Sequence, residues 1–328
     1  MPDYADLTTD DQVAVLREVA LRGAAAFGLE VASLDLVLHA FNTTFRVDTP
    51  DGRTLALRVN TNSMSTPAHI TAQQAWIHAI TADTELLVPD PVATPDGAYF
   101  VEVACPSAGR PLSVVVNSWL EGPDVDTPDA EQAGALGRAM ATLHRQSAGW
   151  APPQGATLTL FDSPLFGDPD ALADWPFSTD QRAIVDEAFR RTQAAFAAAF
   201  NGRRPQVIHA DLHGGNLKWH GGRLAIFDFD DCGWGLPELD LAISLFYLRG
   251  GTQVAERALL DGYADVSPLP DLGRLDALMA GRQLLLANSL VGSLTADLRA
   301  ESEQYLALTV HRLRGWLATG RFERSSLD

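Results

Sequence analysis

Between Gln206 and Asp231 the chain collects most of the side chains that could carry out chemistry. The segment reads His209-Ala-Asp211-Leu-His213-Gly-Gly-Asn216 and, further on, Ile226-Phe-Asp228-Phe-Asp230-Asp231. Asn216 and Asp228 offer hard oxygen ligands of the kind Mg²⁺ takes, and two protein ligands leave the rest of its shell to phosphate oxygens and water. Asp211, five residues before Asn216, is spaced to orient an acceptor hydroxyl and receive its proton.

These groups can meet only if the backbone folds back between them. Gly221 and Gly222 separate two strand-like runs, and a Gly-Gly loop is a strong hairpin signal because both turn positions can take positive φ. With that register His220 faces Arg223 and Asn216 lies opposite Phe227, one residue from Asp228. Strict alternation would turn neighbouring positions to opposite faces, so the convergence needs a local irregularity, for which Gly214 and Gly215 are suited.

An Asp and an Asn separated by four residues, followed by an Asp-Phe pair, is the spacing of a kinase catalytic loop and its second metal ligand. The two stretches together resemble the signature of the aminoglycoside phosphotransferase family, which includes choline and homoserine kinase relatives and shares the protein-kinase fold. Pro237-Glu-Leu-Asp240-Leu-Ala242 resembles the family's downstream helix start, where Asp240 would brace the catalytic loop. The resemblance implies a phosphotransferase using ATP or GTP with Mg²⁺ and acting on a hydroxyl of a small molecule, an aminoglycoside or amino alcohol among the candidates.

By the same resemblance Leu55 to Val59 is the strand that presents a phosphate-binding lysine, here Arg58, and Asn42, Thr43 and Thr44 form the turn over the nucleotide. Gln73 stands where the family has a glutamate for that lysine. Arginine still brings a permanent charge and a bidentate fork for phosphate. Asn117, Ser118 and Trp119 would pass between two lobes and offer backbone groups to the nucleotide base. His209 is expected to brace the loop, His213 to orient Asp211, and Asp230 and Asp231 to be surface or helix-capping carboxylates. Trp76 and Trp119 read as core or cleft wall, and Cys232, without a basic neighbour, as inert.

The elements around this island support a two-lobed α+β chain. An amphipathic helix is expected over 11–27, strands over 36–47 and 54–59, and a helix from Pro67 to about Thr81. Strands over 98–104 and 112–116 complete a small antiparallel sheet lobe with one inserted helix, residues 1–117. A larger, mainly helical lobe follows over 118–328, with a helix capped by Thr127 and helical patterns at 180–200, 238–249, 253–263 and 271–318. A cleft between such lobes is a common place for a ligand.

The formal net charge of −18 is spread along the chain, which disfavours nucleic acid and anionic membrane as partners and favours, at most, a cationic acceptor. No run of 18 apolar residues exists, and the first residues are acidic where a signal peptide would be basic and then apolar, so a cytoplasmic protein is expected. Cys105 and Cys232 are too few for a disulfide framework. Lys218 is the sole lysine, so any other cationic chemistry falls to arginine.

Three competing readings carry distinct signatures. His209, Asp211 and His213 alternate along a possible strand and could face one metal, as in a hydrolase. The departures at Arg58 and Gln73 fit a nucleotide-binding regulatory module that has lost catalysis. A protein kinase acting on Ser or Thr would share the phosphoryl-transfer residues.

Overall fold

Thr8 opens the first helix, α1 (Thr9–Ala26), by accepting the Asp11 N–H through its side chain. In the computed structural model, which describes residues 3–63, 65–251 and 253–327, α1 leads into β1 (Ser33–His39), β2 (Thr43–Asp48) and β3 (Thr54–Val59). After α2 (Pro67–Asp83) come β4 (Val101–Cys105) and β5 (Arg110–Ser118). The five strands form one antiparallel sheet in the order β1-β2-β3-β5-β4.

The apolar run at 36–47, expected as a single strand, is a hairpin. It reverses at Ala40–Asn42, where the Ala40 N–H bonds to the Asn42 carbonyl at 3.1 Å. Leu36, Val37 and Leu38 are exposed on the edge strand, so burial did not dictate the pattern there. Thr43 and Thr44 consequently lie in β2, paired with Val59 and Arg58, and of the three expected turn residues only Asn42 remains in the turn.

Leu16, Val19, Ala20 and Ala24 of α1 cover the sheet, against Phe45, Val47, Leu57, Val114 and Val116. Helix α2 instead sends Trp76, Ile77 and Ile80 into the core of the helical part of the molecule. The sheet is thereby fixed to the helical part by shared burial as well as by the connector after β5.

The helical part opens with α3 (Ala130–Ser147), followed by α4 (Thr179–Phe200) and four short strands: β6 (Gln206–Ile208), β7 (Leu217–His220), β8 (Arg223–Ile226) and β9 (Gly233–Gly235). It closes with α5 (Pro237–Leu248), α6 (Gln253–Ala264), α7 (Leu275–Val291), α8 (Ala296–Ala300) and α9 (Ser302–Thr319). Helix α3 is capped by Asp129 and not by the expected Thr127. Asp129 and Gln132 satisfy one another's backbone donors in a capping box, which a start at Thr127 would forgo.

The stretch 271–318 is likewise three helices and not a continuous one. Its break returns to the sheet: Leu294 N donates to Asn62 Oδ1 at 2.5 Å, the Thr295 hydroxyl donates to the Ala40 carbonyl at 2.6 Å, and Ala296 N reaches Gln12 Oε1 at 3.1 Å. The 40–42 turn is therefore held from the helical side. Among the described residues no helix is long and apolar enough to cross a membrane.

Candidate active site

The hairpin at 217–226 has the expected register. His220 pairs with Arg223 and Leu217 with Ile226, and the Phe227 N–H donates to the Asn216 carbonyl at 3.1 Å, which brings Asn216 beside the strand end that carries Asp228. Gly221 and Gly222 supply the turn with φ of 57° and 78°. The irregularity needed for convergence lies at both ends: Gly214–Asn216 is a short 3₁₀ turn, and Ala210 and Asp228 take φ of 63° and 62°. Left-handed conformations cost a non-glycine residue roughly 1–3 kcal/mol and persist where the surroundings impose them.

What imposes the strain at Ala210 is Asp240. Fully buried at the first turn of α5, it accepts the His209 N–H at 3.1 Å and the Ala210 N–H at 2.6 Å. Its own orientation is fixed by His144 Nε2 at 2.9 Å, and His144 is held in turn by the Tyr263 hydroxyl at 2.9 Å. The expected brace is present, and it extends to α3 and α6.

Asp211 is the meeting point of the site. Asn216 Nδ2 donates to its Oδ2 at 2.8 Å and to its carbonyl at 2.9 Å, and His213 Nε2 lies 3.4 Å from the same Oδ2. Oδ1 accepts from Nη2 of Arg282, on α7. Burial pushes the Asp211 carboxyl up, but Arg282 and His213 outweigh it and hold the group below the usual carboxylate range. Asp211 is an anion with a defined set of donors.

His209 is buried with both ring nitrogens engaged. Nε2 lies 3.1 Å from the Phe227 carbonyl and Nδ1 accepts the Asp211 N–H at 3.3 Å, so the proton sits on Nε2. It ties the loop that carries Asp211 to the Phe227 carbonyl beside Asp228. His213 accepts the Gly215 N–H through Nδ1 at 3.0 Å and stacks on Tyr247 with ring centroids 4.2 Å apart. Gly214 beside it has no room for a side chain, since a Cβ there would lie 1.6 Å from the Asp126 carbonyl oxygen. With the His209 nitrogens taken, the three-residue metal site imagined for a hydrolase does not form. Among the described residues no group of three His, Cys, Asp or Glu side chains is arranged to hold a metal.

Across the cleft, Arg58 reaches from β3 to the other end of the island. Nη1 bonds Asp228 and lies 3.2 Å from Asp230 Oδ1, while Nε donates to Asn60 Oδ1 at 3.1 Å. Burial raises the Asp228 carboxyl, and the charge of Asp230 beside it raises it further, well above the usual carboxylate range. Burial opposes Asp230 too, but Arg58 and a hydrogen bond with Asp228 keep it below. Two carboxyl groups thus share one guanidinium.

That imbalance fits a divalent cation. The donor set is hard oxygen, Asn216 has its Nδ2 committed to Asp211, and its Oδ1 accepts no hydrogen bond among the described residues. Asn216 and Asp228 are thus chemically suited to the ion expected from the sequence.

Other expectations need correction. Asp230 is not a surface or capping carboxylate: its side chain is 9% exposed, accepts Asn42 Nδ2 at 2.7 Å and faces Arg58. Asp231 is half-buried and caps nothing, α5 being preceded by Leu236. Gln73, 3% exposed on α2, does not bond Arg58; its Oε1 and Arg58 Nη2 are both buried without partners. Asp230 and Asn60 hold the guanidinium in its place.

Asn117 and Ser118 close β5 opposite Ala56 and Leu55, and the Ser118 hydroxyl accepts the Asp90 N–H at 2.8 Å. Trp119 follows, with Arg46 and Lys218 each 5.5 Å from its ring. Cys232 is fully buried and its thiol is pushed well up, first by burial and then by Asp230. Arg282 and Tyr247 were not anticipated. Arg282 is a lone charge in the otherwise apolar run Leu278–Leu286, interrupted also by Gln283, and that was the only available signal.

The family model described as the phosphotransferase enzyme family matches residues 39–278. A homoserine kinase of Xanthobacter autotrophicus is 34% identical over 192 residues, 56% of each chain, and one of Sinorhizobium fredii is 30% identical over 217 residues, 60% of this chain and 62% of the relative. The matches therefore span little more than half the length of these curated relatives.

Among solved structures, the amicoumacin kinase hAmiN in complex with AMP-PNP, Ca²⁺ and Ami superposes with a TM-score of 0.72 at 19% identity, over 92% of this chain and 93% of that one. A microcompartment-associated aminopropanol kinase does so with 0.72 at 22% identity, over 95% and 100%. At these identities the likeness is one of fold. On the family match across the sheet and the island, the chain belongs to the phosphotransferase enzyme family.

Proposed function

We propose that the protein transfers the γ-phosphoryl group of ATP to a hydroxyl of a small molecule, in the cytoplasm. The observation that carries this reading is the single constellation of Asp211, Asn216 and Asp228, with Arg58 reaching it from the sheet side. Asn216 and Asp228 would hold Mg²⁺, which when bound offsets phosphate charge. Arg58 would contact the nucleotide phosphates, the turn at Asn42 would cover them, and residues 117–119 would receive the base.

Asp211 would accept the hydrogen bond of the acceptor hydroxyl, align it and take its proton as the new P–O bond forms. His209 would position Asp211 through its backbone N–H, and His213 would steady the carboxylate. The names of the relatives, homoserine kinase and aminopropanol kinase, favour a small acceptor over a protein. GTP is the alternative donor.

The test is steady-state turnover of ATP and of GTP with Mg²⁺ and panels of amino alcohols, hydroxy amino acids and aminoglycosides. Acceptor-dependent release of nucleoside diphosphate with phosphorylated product supports the reading. Nucleotide binding with no transfer to any acceptor or to a protein extract would favour the regulatory-module reading.

A further inference from the structure

Two different helices hold Asp211, one by the backbone around it and the other by its carboxyl. Helix α5 grips the loop: Asp240 accepts the His209 and Ala210 N–H groups, the buried Ser244 hydroxyl donates to the Leu212 carbonyl at 2.6 Å, and the Tyr247 ring stacks on His213. None of these contacts is made to the Asp211 carboxyl. The last torsion of an aspartate is soft and nearly two-fold, so a fixed backbone leaves its two oxygens free to turn.

Side chains fix the carboxyl instead. Asn216 Nδ2 donates to Oδ2 at 2.8 Å, and His213 Nε2 faces the same oxygen at 3.4 Å; because His213 Nδ1 accepts the Gly215 N–H, the proton of His213 is on Nε2. Arg282, on α7, donates from Nη2 to Oδ1, and the same nitrogen donates to the Tyr247 hydroxyl at 3.0 Å. Asp211, Arg282, Tyr247 and His213 thus close a ring of contacts. Arg282 is only 5% exposed, in an apolar stretch of α7, and its Nε is buried without a partner. A buried guanidinium with an unmet donor costs stability, and an apolar residue of similar volume would serve the packing of α7 at least as well. What the arginine provides is at Asp211.

An ionised carboxylate has about four lone-pair sites, shared equally between its oxygens. Two donors face Oδ2, whereas Oδ1 accepts from Arg282 alone among the described residues, so one site on Oδ1 is open. We infer that Arg282 is a positioning residue for the transfer: anchored on Tyr247, it occupies one lone pair of Asp211 Oδ1 and so aims the other at the acceptor hydroxyl. This rests on the phosphotransferase reading of Asp211. On this assignment Arg282 touches neither acceptor nor nucleotide. Both N–H groups of its Nη2 are used within the ring, and the charge facing the phosphates comes from Arg58 across the cleft.

The test uses the full chain and whichever acceptor turns over fastest in the panel of amino alcohols, hydroxy amino acids and aminoglycosides. Wild type, Arg282→Lys, Arg282→Gln, Asp211→Asn and the double variant Asp211→Asn/Arg282→Gln are compared by kcat, by KM for acceptor and ATP, by AMP-PNP affinity in calorimetry with Mg²⁺, and by melting curves. Arg282→Gln should lower kcat by about 10²-fold, the cost of a misplacement near 1 Å at reacting groups, with both KM values and the AMP-PNP affinity within about threefold. Arg282→Lys keeps a charged donor for Oδ1 and should recover part of the loss. In Asp211→Asn the further change Arg282→Gln should cost no more than about threefold in kcat, because the carboxylate it positions is already gone.

A kcat for Arg282→Gln within about threefold of wild type overturns the inference. So do losses that multiply in the double variant, which would give Arg282 a role apart from Asp211, a loss of AMP-PNP affinity, which would assign it to the phosphates, and a rise in acceptor KM with kcat kept, which would assign it to acceptor binding. If Arg282→Gln does not fold, the decision falls to Arg282→Lys: a lowered kcat at unchanged KM and AMP-PNP affinity supports the inference, and a kcat equal to wild type overturns it. Absence of transfer by wild type to every acceptor in the panel would sink the phosphotransferase reading and the inference with it, a result distinct from all of these.

Discussion

Arg58 on β3 and Asp230 beyond β8 face each other across the cleft, Nη1 to Oδ1 at 3.2 Å, and neither is more than a tenth exposed. The resemblance implies a partner for Arg58 on α2, at Gln73; Gln73 makes no hydrogen bond to Arg58, and the acidic groups beside the guanidinium come from the island itself, Asp230 next to the proposed metal ligand Asp228.

Arg58→Ala should therefore damage two things together. It removes the proposed phosphate contact and leaves buried Asp230 without its guanidinium, and breaking a buried pair in this way costs about 3–5 kcal/mol. KM for ATP should rise about tenfold or more and the melting temperature should fall. Gln73→Ala should change KM by no more than threefold, since Gln73 makes no hydrogen bond to Arg58. A double-mutant cycle of Arg58→Ala with Asp230→Asn should give a coupling energy clearly different from zero; additivity would mean the contact has no energetic weight.

Asp211→Asn keeps the shape of the site and an oxygen for Arg282 but loses the basic carboxylate. Turnover should drop by about 10²–10⁴-fold, the usual range for a positioned acid or base, with nucleotide affinity within about threefold of wild type. Fluorescence titration with a labelled nucleotide and single-turnover product formation separate the two. Loss of nucleotide affinity equal to the loss of turnover would place Asp211 in the phosphate site.

How much of this was legible in the chain depended on distance along it. The hairpin at Gly221-Gly222, the pairing of Asn216 with Phe227 and the brace by Asp240 follow from spacings of a few residues and from one helix start, and local geometry carries them. The edge strands were less legible, because Leu36 to Leu38 are apolar yet exposed and so mimic a longer buried strand. Arg282 meets Asp211 from 71 positions away, across the packing of α7 against α5, the helix whose Asp240 holds the backbone before Asp211. Asp230 was misread because acidic residues next to a turn are usually solvated; its burial is imposed by Arg58 and Asn42 from the other lobe.

Gly214→Ala should be a probe of loop placement. The added Cβ would overlap the Asp126 carbonyl oxygen, which is backbone and cannot swing aside, so the 3₁₀ turn that holds Asn216 must shift. Stability should fall by about 1–3 kcal/mol, and turnover by about 10²-fold because a displacement near 1 Å at reacting groups is that costly. A melting curve and a kcat measurement suffice, and unchanged kcat would show that the position of Asn216 tolerates such a shift.

The last prediction concerns pH and His209. Burial lowers the tendency of His209 to take a proton, against the pull of Asp240 and Asp211, and its neutral form alone can accept the Asp211 N–H through Nδ1. In the unfolded chain a histidine titrates near 6.5. The unfolded state thus binds more protons than the folded state in the window from about 6.5 down to the lowered folded value, and there stability falls as pH falls, by at most about 1.4 kcal/mol per pH unit for one residue. Above pH 6.5 the contribution is present in full. His39 and His69, lowered by burial, act in the same direction, whereas Asp228 and Asp231, raised above the usual range, oppose it at low pH. The effect of His209 is isolated by the difference between wild type and His209→Gln. Melting temperatures measured from pH 7.5 to pH 5 should show wild type the more stable at 7.5 and the gap narrowing as the buffer becomes acidic. A gap that widens toward pH 5 would mean that His209 is protonated in the folded protein, and a constant gap that its titration is unshifted by folding; either would mean that its link between the Asp211 loop and the Phe227 carbonyl is not the one described.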